Sequence, residues 1–99
     1  MQAIPDKNLR ACLAVLYRAC VHARLLGYEG ATHGLSPDRS KLLADLMDAT
    51  HNLPHLATRG PDCDESLLRS MLEDFDTRWP ASNIGLLSAY DEALATEPD

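Results

Sequence analysis

Apolar residues recur at intervals of three and four along most of the chain, and this spacing predicts α-helices. In the first segment a second set of apolar residues widens the apolar arc to about half of the helix circumference, estimated from 100° per residue. The two sets are Leu9, Leu13, Leu16, Cys20 and Ala23, and then Cys12, Val15, Ala19 and Leu26. An arc of this width predicts a central helix that packs against partners on two sides.

Start and stop signals place the first two helices at residues 6–26 and 37–52. Pro5 and Asp6 open the first helix, and Gly27 is a natural left-handed stop that begins a glycine-rich connection over residues 27–36. The sequence Ser36-Pro37 is a typical helix start. The second helix should end near Asn52, because the residue before Pro54 avoids the α conformation.

Two further helices are predicted at residues 63–79 and 83–95. Asp62 with Glu65 three residues later has the capping-box spacing, and Pro80 ends the third helix. Ser82 or Asn83 caps the fourth. The short connections favour antiparallel neighbours. The chain is therefore expected to be one all-α domain over residues 1–99, a small antiparallel four-helix bundle with a long central first helix.

Composition supports helix and argues for a cytoplasmic protein. Leucine and alanine supply 17 and 13 residues, whereas valine and isoleucine supply two each. Three cysteines, with no CxxC pair, predict neither a closed disulfide framework nor a zinc–thiolate site; Cys12 and Cys20 should point into the apolar arc. No signal peptide or apolar run of membrane-spanning length occurs, so we expect no membrane association.

Charge is divided unequally along the chain. The net charge is −6, made of +3 in residues 1–44 and −9 in residues 45–99. The acidic half should repel nucleic-acid phosphates and attract basic partners, so a nucleic-acid partner is not expected. Arg24 falls inside the apolar arc of the first helix. A buried arginine needs a carboxylate, and Asp74 or Asp91 is the predicted partner in a structural ion pair.

The stretch DATHNLPH at residues 48–55 admits three interpretations. In the first, it is a helix end in which Leu53 anchors the turn and His51 interacts with the helix dipole. In the second, Asp48, His51 and His55 form a metal site or an acid–base pair, although no H-E-x-x-H pattern is present. In the third, His51 and His55 contact a partner protein.

The third predicted helix has an acidic outer side that could dock a basic protein. Its candidate partner-binding residues are Asp62, Asp64, Glu65, Glu73 and Asp76. Such a face would speed association and set specificity more than raw affinity. The alternative is a solvated surface that serves solubility alone.

No arrangement of residues predicts catalysis, and neither a metal nor another cofactor is expected. The leading interpretation is a small acidic protein-binding module, of the kind found among bacterial inhibitors, immunity proteins and antitoxins, that engages a basic partner surface. A second interpretation is a helical metal protein or enzyme that uses Asp48, His51 and His55. A third is a homodimeric structural or accessory subunit in which the wide stripe of the first helix is the interface.

Overall fold

The computed structural model describes residues 7–57 and 64–95 of the 99-residue chain, with the backbone alone described at residues 56 and 57. Within these residues there are helices and short connections but no β-strand. The elements are α1 (Lys7–His33), α2 (Pro37–Thr50), α3 (Leu53–Ala57), α4 (Glu65–Arg78), a 3₁₀ turn (Pro80–Ser82) and α5 (Leu86–Ala95). The predicted all-α bundle of four main helices with a long first helix is confirmed.

Helix α1 runs the length of the molecule. Its 27 residues span about 40 Å at 1.5 Å per residue, and the longest dimension of the fold is 43 Å. It packs most extensively against α5 and also contacts α2 and α3, while α4 packs against α5 and α2. α1 is therefore the element around which the other helices are arranged.

The predicted end of the first helix at residue 26 is wrong, because α1 continues to His33. Gly27 lies inside the helix, and Gly34 takes the left-handed conformation at φ +76°. The Gly34 N–H donates to the Gly30 carbonyl at 3.1 Å, which closes the last turn. An interior glycine costs about 1 kcal/mol relative to alanine. That cost is too small to stop a helix whose later turns make contacts of their own.

Contacts across the following connection hold these added turns in place. A Cβ at Gly30 would lie 3.3 Å from Leu35 Cγ, so the chain passes close to the helix there. Glu29 forms an ion pair with Arg39 of α2. The predicted glycine-rich connection is consequently shortened to residues 34–36.

Helix α2 begins as expected and ends two residues early. The Ser36 side chain accepts the Arg39 N–H at 3.2 Å, and Pro37 occupies the first turn. The helix ends at Thr50, and Asn52 is not left-handed; Asn83 is the one non-glycine with positive φ among the described residues. A new helical turn, α3, begins at once with the fully buried Leu53.

Helix α4 begins later than the sequence suggested. Its N-cap is Asp64, whose side chain accepts the Leu67 N–H at 3.1 Å. Asp62, the predicted cap, lies outside the described residues, as does Cys63. Because a side chain caps the N–H groups two or three residues further on, Asp64 fixes the helix start at Glu65.

Helix α5 also starts later than predicted. Asn83 and Gly85 both take left-handed conformations, at φ 59° and 64°, and the helix begins at Leu86 rather than at residue 83. Neither Ser82 nor Asn83 caps it. Its first N–H groups are bound instead by a carboxylate from α4, described below.

The core draws on every main helix, and its largest fully buried side chains are Tyr90, Phe75, Leu46, Leu53 and Leu68. Leu13 and Cys20, which the apolar pattern placed on the buried side of the first helix, are exposed instead, and Met47 of α2 and Leu67 of α4 are exposed as well. No helix in residues 7–57 and 64–95 combines the length and apolarity needed to cross a bilayer.

Candidate interaction surfaces

Two of the predicted docking carboxylates on α4 are used inside the fold. Asp64 caps its own helix. Asp76 reaches across to the start of α5, where its two carboxylate oxygens accept the N–H groups of Leu86 and Leu87 at 2.9 and 3.0 Å. A carboxylate at this position satisfies two otherwise unpaired donors and complements the helix dipole. Asp76 is half-buried and engaged in this cap, and its predicted part in binding a partner stays a prediction.

The exposed acidic surface of α4 has fewer carboxylates than the sequence predicted. Asp74 forms an i,i+4 ion pair with Arg78 at 2.8 Å, a contact worth a few tenths of a kcal/mol. Glu65 and Glu73 are exposed, and Asp62 lies outside the described residues. Glu65, Glu73 and Asp64, which is also exposed, are the carboxylates of the predicted docking face that face solvent in the described part of the chain.

The predicted ion pair between Arg24 and Asp74 or Asp91 does not form. Arg24 is exposed, and its guanidinium lies 5.4 Å from the centre of the Tyr28 ring. Asp91 binds Arg69 instead, and this hydrogen bond raises the pKa of the Arg69 guanidinium. The error follows from the width of the apolar arc, which did not show which part of α1 the other helices cover.

Asp48, His51 and His55 lie at the exposed junction of α2 and α3. His51 Nδ1 is 2.7 Å from the backbone carbonyl oxygen of Asp48, not from its carboxylate. In residues 7–57 and 64–95 no group of three His, Cys, Asp or Glu side chains is placed to hold a metal ion. This geometry agrees with the helix-end interpretation of the stretch.

Asp45, which the sequence pattern did not single out, is the one buried carboxylate in residues 7–57 and 64–95 for which burial is described. It is 7% exposed, and its Oδ2 accepts the Trp79 indole N–H at 2.8 Å. Lys41 lies 3.4 Å from Oδ1, and Arg78 lies 3.7 Å from Oδ2. The indole hydrogen bond and these two cations lower the pKa of Asp45 against the opposing effect of burial. The contact joins α2 to the end of α4.

The sequence carries a signal for this contact. Asp45 lies between Leu42 and Leu46 on the apolar side of α2, and an aspartate there needs a donor. A largely buried tryptophan needs an acceptor for its N–H. Pairing these two requirements would have suggested the Asp45–Trp79 hydrogen bond.

The outer face of α1 carries a continuous row of exposed large apolar side chains. Their exposed fractions run from 39% for Val21 to 74% for Tyr17. The row consists of Leu13, Tyr17, Val21, Leu25 and Tyr28. At 100° per residue they fall within an arc of about 120°, opposite the buried side of the helix. We call these five residues the outer stripe.

A groove between α1 and α5 borders the outer stripe on one side. Its volume is about 500 Å³, and alanines from both helices lie beside Tyr17 and Val21. Arg18 crosses from α1 to α5, where it donates to the Gly85 carbonyl at 3.0 Å and pairs with Glu92 at 3.2 Å. The small side chains let a neighbouring helix approach closely, and the arginine supplies a charged border.

A second, more apolar groove borders the opposite side. It has a volume of about 220 Å³ and lies where α1 meets α2 and α3. Its lining includes Cys20, Met47 and His51. The outer stripe therefore forms a ridge between two shallow grooves, a shape that suits another helix laid along it.

Comparison with protein-family models, with curated proteins and with solved structures gives no match for this chain.

Proposed function

We propose that this chain is a protein-binding module without catalytic activity, and that the outer stripe of α1 is its binding surface. The observation that carries the proposal is the row of five large apolar side chains left in water along about 20 Å of one helix, estimated from 1.5 Å per residue. Single exposed apolar residues are ordinary, but a contiguous group is typical of interaction sites.

The composition of the outer stripe supports this proposal. Tyr17 and Tyr28 are aromatic, and aromatic side chains with arginine are enriched at protein interfaces. Arg24 lies between them and packs on the Tyr28 ring. An amphipathic helix that lays its apolar face into a hydrophobic groove is a common mode of recognition, and a groove lies on each side of the outer stripe.

The basic partner expected from the sequence remains part of the proposal as a secondary contact. Glu65 and Glu73 stay exposed on α4 and could steer such a partner. These two charges form a smaller contact surface than the outer stripe, which has five exposed apolar side chains in a row. A role as an inhibitor, immunity or antitoxin-like protein is compatible with either contact.

The test is affinity capture from the native host with three immobilised proteins: wild type, Tyr17→Glu and Leu67→Glu. Leu67 is a matched control, because it is half exposed on α4, away from the outer stripe. We expect a partner to be retained by wild type and Leu67→Glu at low and high salt and lost by Tyr17→Glu. The partner should then rebind as a purified protein.

Equal retention by all three proteins would contradict the proposal. A partner that high salt releases, and that Glu73→Lys rather than Tyr17→Glu loses, would move the binding surface to α4.

A further inference from the structure

We propose that the outer face of α1 binds the same face of a second copy of this chain, with the two α1 helices antiparallel and the two-fold axis between residues 20 and 21. This inference rests on the proposed function of the outer stripe and names its occupant. It is argued from the spacing of the exposed residues and from the charges along α1.

Leu25 lies at the edge of this face, where it would meet the half-buried Leu16 of a second copy, and six exposed positions nearer the centre are arranged symmetrically about the point between Cys20 and Val21. They are Leu13, Tyr17, Cys20, Val21, Arg24 and Tyr28. In an antiparallel pair centred there, Leu13 faces the second copy's Tyr28, and Cys20 faces its Val21. Such a self-complementary surface is what a two-fold interface requires. The steps from Leu13 to Tyr17, Cys20 and Arg24 are four, three and four residues, which suit helices crossing at about 20°.

The facing residues also match in chemistry. Tyr17 faces the second copy's Arg24, so that each guanidinium lies between two aromatic rings, its own Tyr28 and the opposite Tyr17. A cation over an aromatic face is attracted by it, more strongly when both are removed from water. The two Arg24 side chains are separated by seven positions, or about 10 Å along the axis, which is about one Debye length at 0.1 M salt. Their mutual repulsion is therefore weak.

The charges at the ends of α1 favour the antiparallel arrangement. The first turn contains Lys7 and no acidic residue, and Arg10 follows in the next turn. Cations near a helix N-terminus are unfavourable for that helix alone. In the proposed pair they face positions 34 and 31 of the second copy, at the negative C-terminal end of its α1.

The first experiment measures molecular mass by sedimentation equilibrium from about 1 to 100 µM. We expect wild type to approach twice its 10.9 kDa monomer mass with increasing concentration. Tyr17→Lys should remain monomeric, because it removes each aromatic ring and places a second cation opposite each Arg24, and Leu67→Glu should dimerise like wild type. Circular dichroism of each variant shows whether it is folded.

The second experiment tests the direction of the helices by disulfide cross-linking. Cys20 and Cys63 are first removed by Cys20→Ser and Cys63→Ser. One preparation then carries Leu13→Cys and another Tyr28→Cys. We expect mild oxidation of the mixture to give a disulfide-linked dimer of the two different chains, and each preparation alone to give little.

A wild type that stays monomeric at 100 µM would overturn the second-copy proposal, as would a dimer that Tyr17→Lys leaves intact. A Leu13→Cys preparation that cross-links with itself would overturn the antiparallel arrangement. These failures are distinguishable from failure of the proposed function. If the chain is a monomer but its capture of another protein still depends on Tyr17, the outer stripe remains the binding surface and only the identity of its partner changes.

Discussion

The two faces of α1 reverse the usual expectation that the large apolar side chains of a helix are buried and the small ones exposed. The inner face buries mostly small side chains: Ala11, Cys12, Val15 and Ala19, with Leu26 near the end. The outer face exposes larger ones, including two of the three tyrosines of the chain. The small inner residues allow the neighbouring helices to approach closely. The large outer residues contribute little burial to this fold, so their presence needs another explanation.

This comparison separates the residues that hold the bundle together from those available to a partner. Polar contacts follow the same division. Asp45 and Asp76 connect helices on the inner side of the molecule, whereas Arg24 lies among the outer residues. Substitutions on the inner side should therefore change stability, and those on the outer side should change association.

The largest expected effect is that of a charge on the inner face. Val15→Asp places a carboxylate at a fully buried position. An unpaired buried charge costs about 3–5 kcal/mol, which is a large part of the stability of a domain of this size. Urea unfolding followed by circular dichroism should show a lost or strongly shifted transition. A midpoint equal to that of wild type would show that the inner face is not packed as described.

A smaller but clear effect is expected when the Asp45–Trp79 contact is removed. Asp45→Ala leaves the indole N–H without its acceptor and should lower the Tm by roughly 5–10 °C at pH 7. The matched control is Asp48→Ala, three residues further along the same helix and exposed. Its Tm should change by less than about 2 °C, since exposed substitutions are usually near neutral. Equal Tm shifts in both variants would show that Asp45 contributes no more to stability than an exposed aspartate.

The same carboxylate should make stability depend on pH in the acid range. Because the folded state lowers the pKa of Asp45 below its usual 3.8, its ionised form stabilises the fold above about that pH. This contribution is lost as the pH falls below that value. Thermal unfolding between pH 5 and pH 2 should therefore show a steeper loss for wild type than for Asp45→Asn, with the two curves approaching each other at the acid end. Parallel curves would contradict the assigned pKa shift.

Removing the cap of α5 should cost about 1 kcal/mol. Asp76→Ala leaves the N–H groups of Leu86 and Leu87 without the carboxylate and weakens the helix that packs most extensively on α1. Asp74→Ala, which breaks an exposed i,i+4 pair with Arg78, is the control and should cost no more than about 0.5 kcal/mol. Chemical denaturation gives both values. If Asp74→Ala lowered the free energy of unfolding more than Asp76→Ala does, the assignment of Asp76 as the stabilising cap of α5 would be contradicted.

The sequence was sufficient to predict the helices but not which faces they bury. Three- and four-residue spacing identified all four main helices, because that period is a local property of the chain. On α1 both sides are apolar, so the pattern did not distinguish Val15, which is buried, from Leu13, which is exposed. The end of α1 was misjudged for a related reason, since Gly27 and Gly34 are equally able to stop a helix and tertiary contacts select the second.

The candidate site was less predictable than the fold. The partners of Asp74, Asp76 and Asp91 depend on how α4 and α5 lie against each other, which sequence spacing within one helix does not encode. Asp64 was assigned to a docking face although its hydrogen bond is local. The sequence shows that the residues of the outer stripe are apolar. It does not show that they are exposed, because exposure depends on how the other helices pack against α1.

The central claim is that the outer stripe does not hold the fold together. It is tested most directly by the unfolding free energy of the triple variant Leu13→Ser, Tyr17→Ser and Val21→Ser. The measurement is made in urea at a protein concentration low enough that further dilution no longer changes the midpoint. We predict a folded protein within about 1 kcal/mol of wild type, as expected for exposed substitutions. A loss of more than about 3 kcal/mol, comparable to a core truncation, would contradict the account.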